Sequence, residues 1–381
     1  MTPDRRTLLA LFSLAFGLRI LYAVVFGDDP NVVRDTYGLR IAARMVESFD
    51  WISTPFAPTA PGYRMLLAAA FKLFGVGWWT AVLLNAVLGA ITTLFVYRIG
   101  ERLLGRRVGL VSALWLGLSV GQMQLASLAM RDVLVIFLLT WLAYALARPF
   151  FRMRTALWVA FLSTLLIHTE PMFLVLLPVL FVFLAWKSTH HRALSVQYVL
   201  LFTTALFAFF LPWTVRNLIV YHDVVPVALE AQRYTAPVAR LLRDEGPETV
   251  APPGSIRIEK PGFFANEREF WRVVRLTETP GDPARRMPAE PAWSLRHNAT
   301  SLINYGVLLP FFIVGVVFAW VRRHRAALVP AAIAVSYAVL RGFLGVDDAA
   351  RLWVDPMIIL VAFYGLNVLL DLRTAAGEQP S

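Results

Sequence analysis

The chain has 381 residues, 58% of them hydrophobic, with 36 basic against 25 acidic side chains, a formal net charge of +11 and a mean hydropathy of +0.62. Its apolar runs of about 20 residues match the roughly 30 Å hydrocarbon core of a bilayer and lack the alternation of barrel strands, so a soluble domain and a β-barrel are both excluded and an all-α polytopic membrane protein is expected. There is no cysteine, which excludes disulfides, thiolate metal sites and a cysteine nucleophile.

Read in chain order, the apolar runs predict about ten spans, at 8–26, 78–99, 107–126, 132–147, 155–168, 171–186, 194–213, 302–321, 326–344 and 354–370. The first follows "MTPDRR" as a signal sequence would, but it is long for one and no small-residue cleavage site follows, so it reads as a span. Residues 27–77 then form an outer segment containing "VVRDTYGLRIAARMVESFDW". From Thr36 onward, Leu39, Ile41, Ala42, Met45 and Val46 fall apart from Arg40, Arg44 and Glu47, the pattern of an amphipathic helix at the interface. The run Met65 to Phe74 is too short to span and suits a second interfacial helix. Spans 155–168 and 171–186 are short and meet at "LLIHTEPMF". The Pro-rich segment 214–301 is a second outer loop. The chain divides accordingly into a transmembrane module at 1–213, the loop 214–301 and C-terminal helices at 302–381.

Charge sets the expected orientation. The loops "YRIGERLLGRR", "ARPFFRMR", "KSTHHR" and "VRRHR", with both termini, hold 15 of the 36 basic residues and four of the 25 acids, a balance equal to the whole net charge. By the positive-inside rule these loops and both termini are cytoplasmic, and the remaining acids face outward. The basic pI therefore reports topology and asks for no nucleic-acid partner. His190 and His191 read as part of a solvated cytoplasmic loop.

Several outer residues could carry chemistry. Asp28, Asp29 and Asp35 have two readings, a solvated loop with Asp35 capping the following helix, or an outward carboxylate available for acid–base work. Arg64, Arg131, Arg216, Arg341 and Arg351 stand at outer helix ends; each alone could snorkel, whereas together their forks suit a lipid-borne phosphate. Asp132 beside Arg131, and Asp347 and Asp348 near Arg351, compete as ion-pair partners. Arg19 lies inside the first span and needs a partner, for which Asp28 or Asp35 would serve. His168 and Glu170 form either a short outer hairpin or a turn sunk below the surface and lining a wet cavity.

"DTYGLRIAARMVESFDW", "APGYRMLLAAAFKLFGVGWW", "LLNAVLGAITTLFVYRIGERLLGRRVGL", "LPWTVRN" and "ARLWVDPMIIL", in this order and spacing, resemble bacterial GT-C glycosyltransferases of the protein-mannosyltransferase and aminoarabinose-transferase type. The resemblance extends over almost the whole chain outside the second outer loop. It implies a GT-C fold in a bacterial inner membrane and a polyprenyl-phosphate sugar as donor. It also implies inverting transfer to a glycan, lipid or protein acceptor on the extracytoplasmic face. Asp35 matches the acidic residue of the first outer loop that serves as base, with Asp28 and Asp29 as alternatives; Tyr37 follows it. Arg131, Arg216, Arg351 and Arg64 would take the donor phosphate, and His168, Glu170, Arg19 and Tyr37 would line the cavity. Where relatives often carry Arg-Pro, this chain has Glu170-Pro171. No cofactor is expected; outward acids could hold a divalent ion, but relatives of this type generally need none. Two rival classes are a transporter or lipid-linked glycan flippase with a discontinuous site at "HTEP", and a non-catalytic subunit with the same fold.

Overall fold

A computed structural model describes residues 5–26, 36–47, 60–147, 153–187, 192–222, 225–227, 263–271, 302–344 and 350–377. Asp28, Asp29, Asp35, His190 and His191 lie outside them. The helices are α1 (Arg5–Phe26), α2 (Thr36–Glu47), α3 (Gly62–Phe74), α4 (Trp78–Leu103), α5 (Arg106–Gly117), α6 (Val120–Ser127), α7 (Asp132–Leu146) and α8 (Met153–Thr169). A 3-10 turn at Pro171–Leu176 then runs into α9 (Leu177–Lys187), followed by α10 (Arg192–Tyr221) and α11 (Phe263–Phe270). A π-turn at Leu302–Gly306 precedes α12 (Leu308–Val321), and α13 (Arg325–Leu344), a 3-10 turn at Ala350–Trp353 and α14 (Asp355–Gly377) complete the order. Among the described residues there is no strand.

Arg5–Phe26, Trp78–Leu103, Val196–Val220 and Asp355–Leu372 are each long and apolar enough to cross a bilayer, and α5 with α6 passes the same test as a bent pair. Shorter apolar helices stand at the other predicted spans. The protein is an all-α, multi-pass membrane protein. The expected continuous span 107–126 is corrected, because α5 and α6 meet at 49°. The chain leaves helical geometry at Ser119, which has φ −66° and ψ 114°, just after Gly117, and both residue types are weak in a helix interior.

The interfacial helices follow the sequence pattern. Ile41, Ala42 and Met45 of α2 are buried where α2 meets α3, while Arg40, Arg44 and Glu47 point outward. In the bundle, lipid tails are as apolar as leucine, so helix association depends on close packing. α4 and α5 touch backbone to backbone at Gly100 and Gly109, and α12 and α14 do so at Gly315 and Gly365, where a Cβ on Gly315 would strike the Val361 carbonyl. Antiparallel succession brings the ends of α6, α8, α10 and α13 and the starts of α4, α7, α12 and α14 to one end of the bundle. This head end, beside α2 and α3, carries Arg131, Arg216, Arg341, Arg351 and the His168–Glu170 turn.

Candidate active site

The site is built on the turn between α6 and α7. Ala129 there takes a φ of 55°, and the phenol of Tyr63, on α3, donates to its carbonyl at 2.9 Å. Asn85 of α4 donates through Nδ2 to the Met130 carbonyl at 3.0 Å. Thus secured, the turn presents Arg131 and Asp132 to different neighbours. Arg131 reaches Glu170 at 3.1 Å, and Asp132 accepts from the indole Nε1 of Trp353 at 2.7 Å. Adjacency in the sequence suggested a pair between Arg131 and Asp132; the structure gives Arg131 to Glu170.

Glu170 leaves α8 in extended geometry, φ −142° and ψ 101°, and Pro171 opens the 3-10 turn. His168, Thr169 and Glu170 are all buried, and the His168 carbonyl and Thr169 hydroxyl pack on Gly62, where a Cβ would collide with them. The "HTEP" turn is therefore enclosed by protein and is no exposed hairpin. His168 Nδ1 hydrogen-bonds the Thr164 carbonyl at 2.8 Å, and its ring lies 4.9 Å from that of Phe210 and 6.1 Å from that of Trp213. Arg216 stacks over Trp213 at 4.9 Å and donates to Asn217 Oδ1 at 2.9 Å.

From the C-terminal helices come Arg341 and Arg351. Arg341 is buried, with Nη1 3.2 Å from the Met172 sulfur and its guanidinium 5.9 Å from the Trp353 ring. Arg351 lies 3.9 Å over the Tyr305 ring and 3.9 Å from Asp355 Oδ1. The structure thus joins Arg131, Arg341 and Arg351 with Glu170, Asp132 and Asp355 through Trp353 and the 3-10 turn. Arg216 stands beside it, over Trp213, whose ring meets that of His168 two residues before Glu170. Arg64 is buried one turn from Ala60, to whose carbonyl it donates at 3.4 Å, on the helix that packs against Thr169.

Two further residues expected to line the cavity lie on α1 and α2. Arg19 is 1% exposed, donates to the Ala15 carbonyl at 2.8 Å and lies against Gly89, so its described contacts bind α1 to α4 and do not reach this cluster. Tyr37 stands in the first turn of α2. Sequence reasoning missed Trp353, Tyr305 and Asp355 altogether and saw Asp132 only as a rival partner for Arg131. An indole and an acid inside "ARLWVDPMIIL", at the head of an apolar helix, were the available signal. Among the described residues no group of three potential metal-ligating side chains converges.

Below the cluster runs an apolar groove between α7, α8, the 3-10 turn with α9, and α13, lined by Leu139, Leu142, Leu166, Phe173, Leu177 and Ile333 among others. Phe173 stands at its head and stacks on Tyr337 at 5.9 Å and on Trp353 at 6.0 Å. The groove therefore begins where the charged cluster ends.

Residues 58–215 match the family described as dolichyl-phosphate-mannose-protein mannosyltransferase. No curated protein matches the chain. Among solved structures, ArnT from Cupriavidus metallidurans bound to undecaprenyl phosphate is similar over 96% of this chain and 61% of that one, at 16% identity and a TM-score of 0.62. The oligosaccharyltransferase AglB from Archaeoglobus fulgidus, in complex with an inhibitory peptide and a dolichol-phosphate, is similar over 99% of this chain and 52% of that one, at 13% identity and a TM-score of 0.62. The chain thus spans about half to three fifths of the length of these relatives. It is a membrane protein with the fold of these GT-C structures.

Proposed function

We propose that the protein is an integral membrane glycosyltransferase that moves a sugar from a polyprenyl-phosphate donor to a glycan, lipid or protein acceptor of the cell envelope. The observation that carries this reading is the junction of the arginine cluster with the apolar groove, a headgroup site continuous with a tail site, on a GT-C scaffold. Among the described residues at the head end, Arg131, Arg216, Arg341 and Arg351 outnumber Asp132, Glu170 and Asp355 by one, and a surplus positive charge suits a phosphodiester of one negative charge.

In the reaction, the acceptor hydroxyl attacks the anomeric carbon as the carbon–oxygen bond to phosphate breaks, and the phosphate leaves with the bonding pair. The hydroxyl proton passes to a carboxylate of the first outer loop, Asp35 in the first instance, with Asp29 and Asp28 as alternatives. Arginine forks stabilise the charge that grows on the departing phosphate, which needs no general acid. A single displacement inverts the anomeric centre. By the positive-inside pattern the head end is extracytoplasmic and both termini are cytoplasmic.

The test supplies the purified protein with a polyprenyl-phosphate sugar and an envelope extract and follows sugar consumption. Wild type is expected to consume donor, and Asp35→Asn to abolish transfer while keeping expression; persistence of transfer passes the role to Asp29 or Asp28. Movement of the lipid-linked sugar or of solute across liposomes without donor consumption would assign the fold to transport instead.

A further inference from the structure

The indole of Trp353 touches two groups of opposite charge with two different parts of its ring. Its Nε1–H donates to Asp132 at 2.7 Å, and its face lies 5.9 Å from the Arg341 guanidinium. This follows the charge distribution of an aromatic ring, whose edge is positive and whose face is negative. Trp353 is 2% exposed and walled by Tyr337 at 5.8 Å and Phe173 at 6.0 Å. Phe270 of α11, from the second outer loop, closes on Tyr337 at 5.9 Å. The backbone beneath is fixed as well, because Gln122 donates to the Leu352 carbonyl at 3.0 Å and Leu352 packs on Gly121.

An apolar ring would fill most of this space, but only the indole also supplies a donor to the buried Asp132 carboxylate. The indole N–H has only a donor's function, and its bond to Asp132 commits one carboxylate oxygen and sets the plane of the group. Three of the segments that supply the cluster, the start of α7, the 3-10 turn before α9 and the end of α13, rest on this one side chain.

We propose that Trp353 is a positioning residue of the transferase site, its edge orienting Asp132 toward a hydroxyl of the sugar or acceptor and its face holding Arg341 toward the lipid phosphate. This rests on the glycosyltransferase reading. The two roles separate by substitution. Trp353→Phe keeps the face and removes the donor, so turnover falls about ten-fold or more while the Kd for polyprenyl phosphate stays within about two-fold. Trp353→Leu removes the face too, and that Kd also rises, by about five-fold or more. In an Asp132→Ala background, which removes the acceptor, Trp353→Phe lowers turnover no further. If Trp353→Phe does not fold, Trp353→His retains an edge donor and is expected to keep most of the turnover. Unchanged turnover in Trp353→Phe, parallel loss of turnover and lipid binding, or additivity with Asp132→Ala overturns the proposal alone. A wild-type protein that neither binds polyprenyl phosphate nor consumes its sugar ester overturns the transferase reading and this proposal together.

Discussion

The Arg131–Glu170 pair makes a prediction whose sign depends on which partner is removed. Its oxygen–nitrogen distance is 3.1 Å, and the side chains are 33% and 2% exposed respectively. Glu170 therefore carries nearly the full desolvation cost of a charge, whereas Arg131 keeps part of its hydration. Breaking a fully buried pair costs about 3–5 kcal/mol, and the partial exposure of Arg131 moves Arg131→Gln to about 2–4 kcal/mol, because it leaves the deeply buried carboxylate without this cation. Glu170→Gln leaves a cation that can turn to water, and is expected to cost about 1 kcal/mol or less. Arg131→Gln/Glu170→Gln removes the charge imbalance and should recover most of the loss, giving a coupling energy of about 1–3 kcal/mol. Equilibrium unfolding in mixed micelles of the four proteins measures all three quantities. Equal damage from Glu170→Gln and Arg131→Gln, or simple addition of the two losses, would refute this asymmetry between the partners.

Two further outcomes concern the apolar groove and the scaffold. Leu166→Trp, which fills the groove below Phe173, is expected to raise the KM for a long-chain polyprenyl-phosphate sugar by about ten-fold and to leave a short-chain analogue nearly unaffected; equal effects on both donors would disconnect the groove from the lipid. Gly315→Ala drives a methyl group into the Val361 carbonyl and should cost about 1–3 kcal/mol or abolish expression, whereas Gly17→Ala, with no atom within 4 Å of its Cβ, should be neutral; expression and detergent stability of the two variants compare them.

The helices were legible because their physics is local. Runs near 20 apolar residues must satisfy their backbone internally in lipid, so α1, α4, α10 and α14 stand where hydropathy put them, and the alternation of Ile41, Ala42 and Met45 with Arg40, Arg44 and Glu47 specified the buried face of α2. The arginines at the head end were legible as a class, since charges at helix termini can stand out against an apolar background. Partners were not. Arg131 binds Glu170, 39 positions away in the sequence, and Asp132 binds Trp353, at a separation of 221 residues, contacts that only the antiparallel stacking of α7, α8 and α13 creates. The bend between α5 and α6 escaped hydropathy for a related reason: it preserves the apolar character of the span and shows only in the backbone angles at Ser119. Composition and period thus determined which segments enter the bilayer and which end carries charge, because burial in lipid is a property of each segment by itself. Tertiary packing decided which charge meets which, because pairing is a property of surfaces that come together only after the helices assemble.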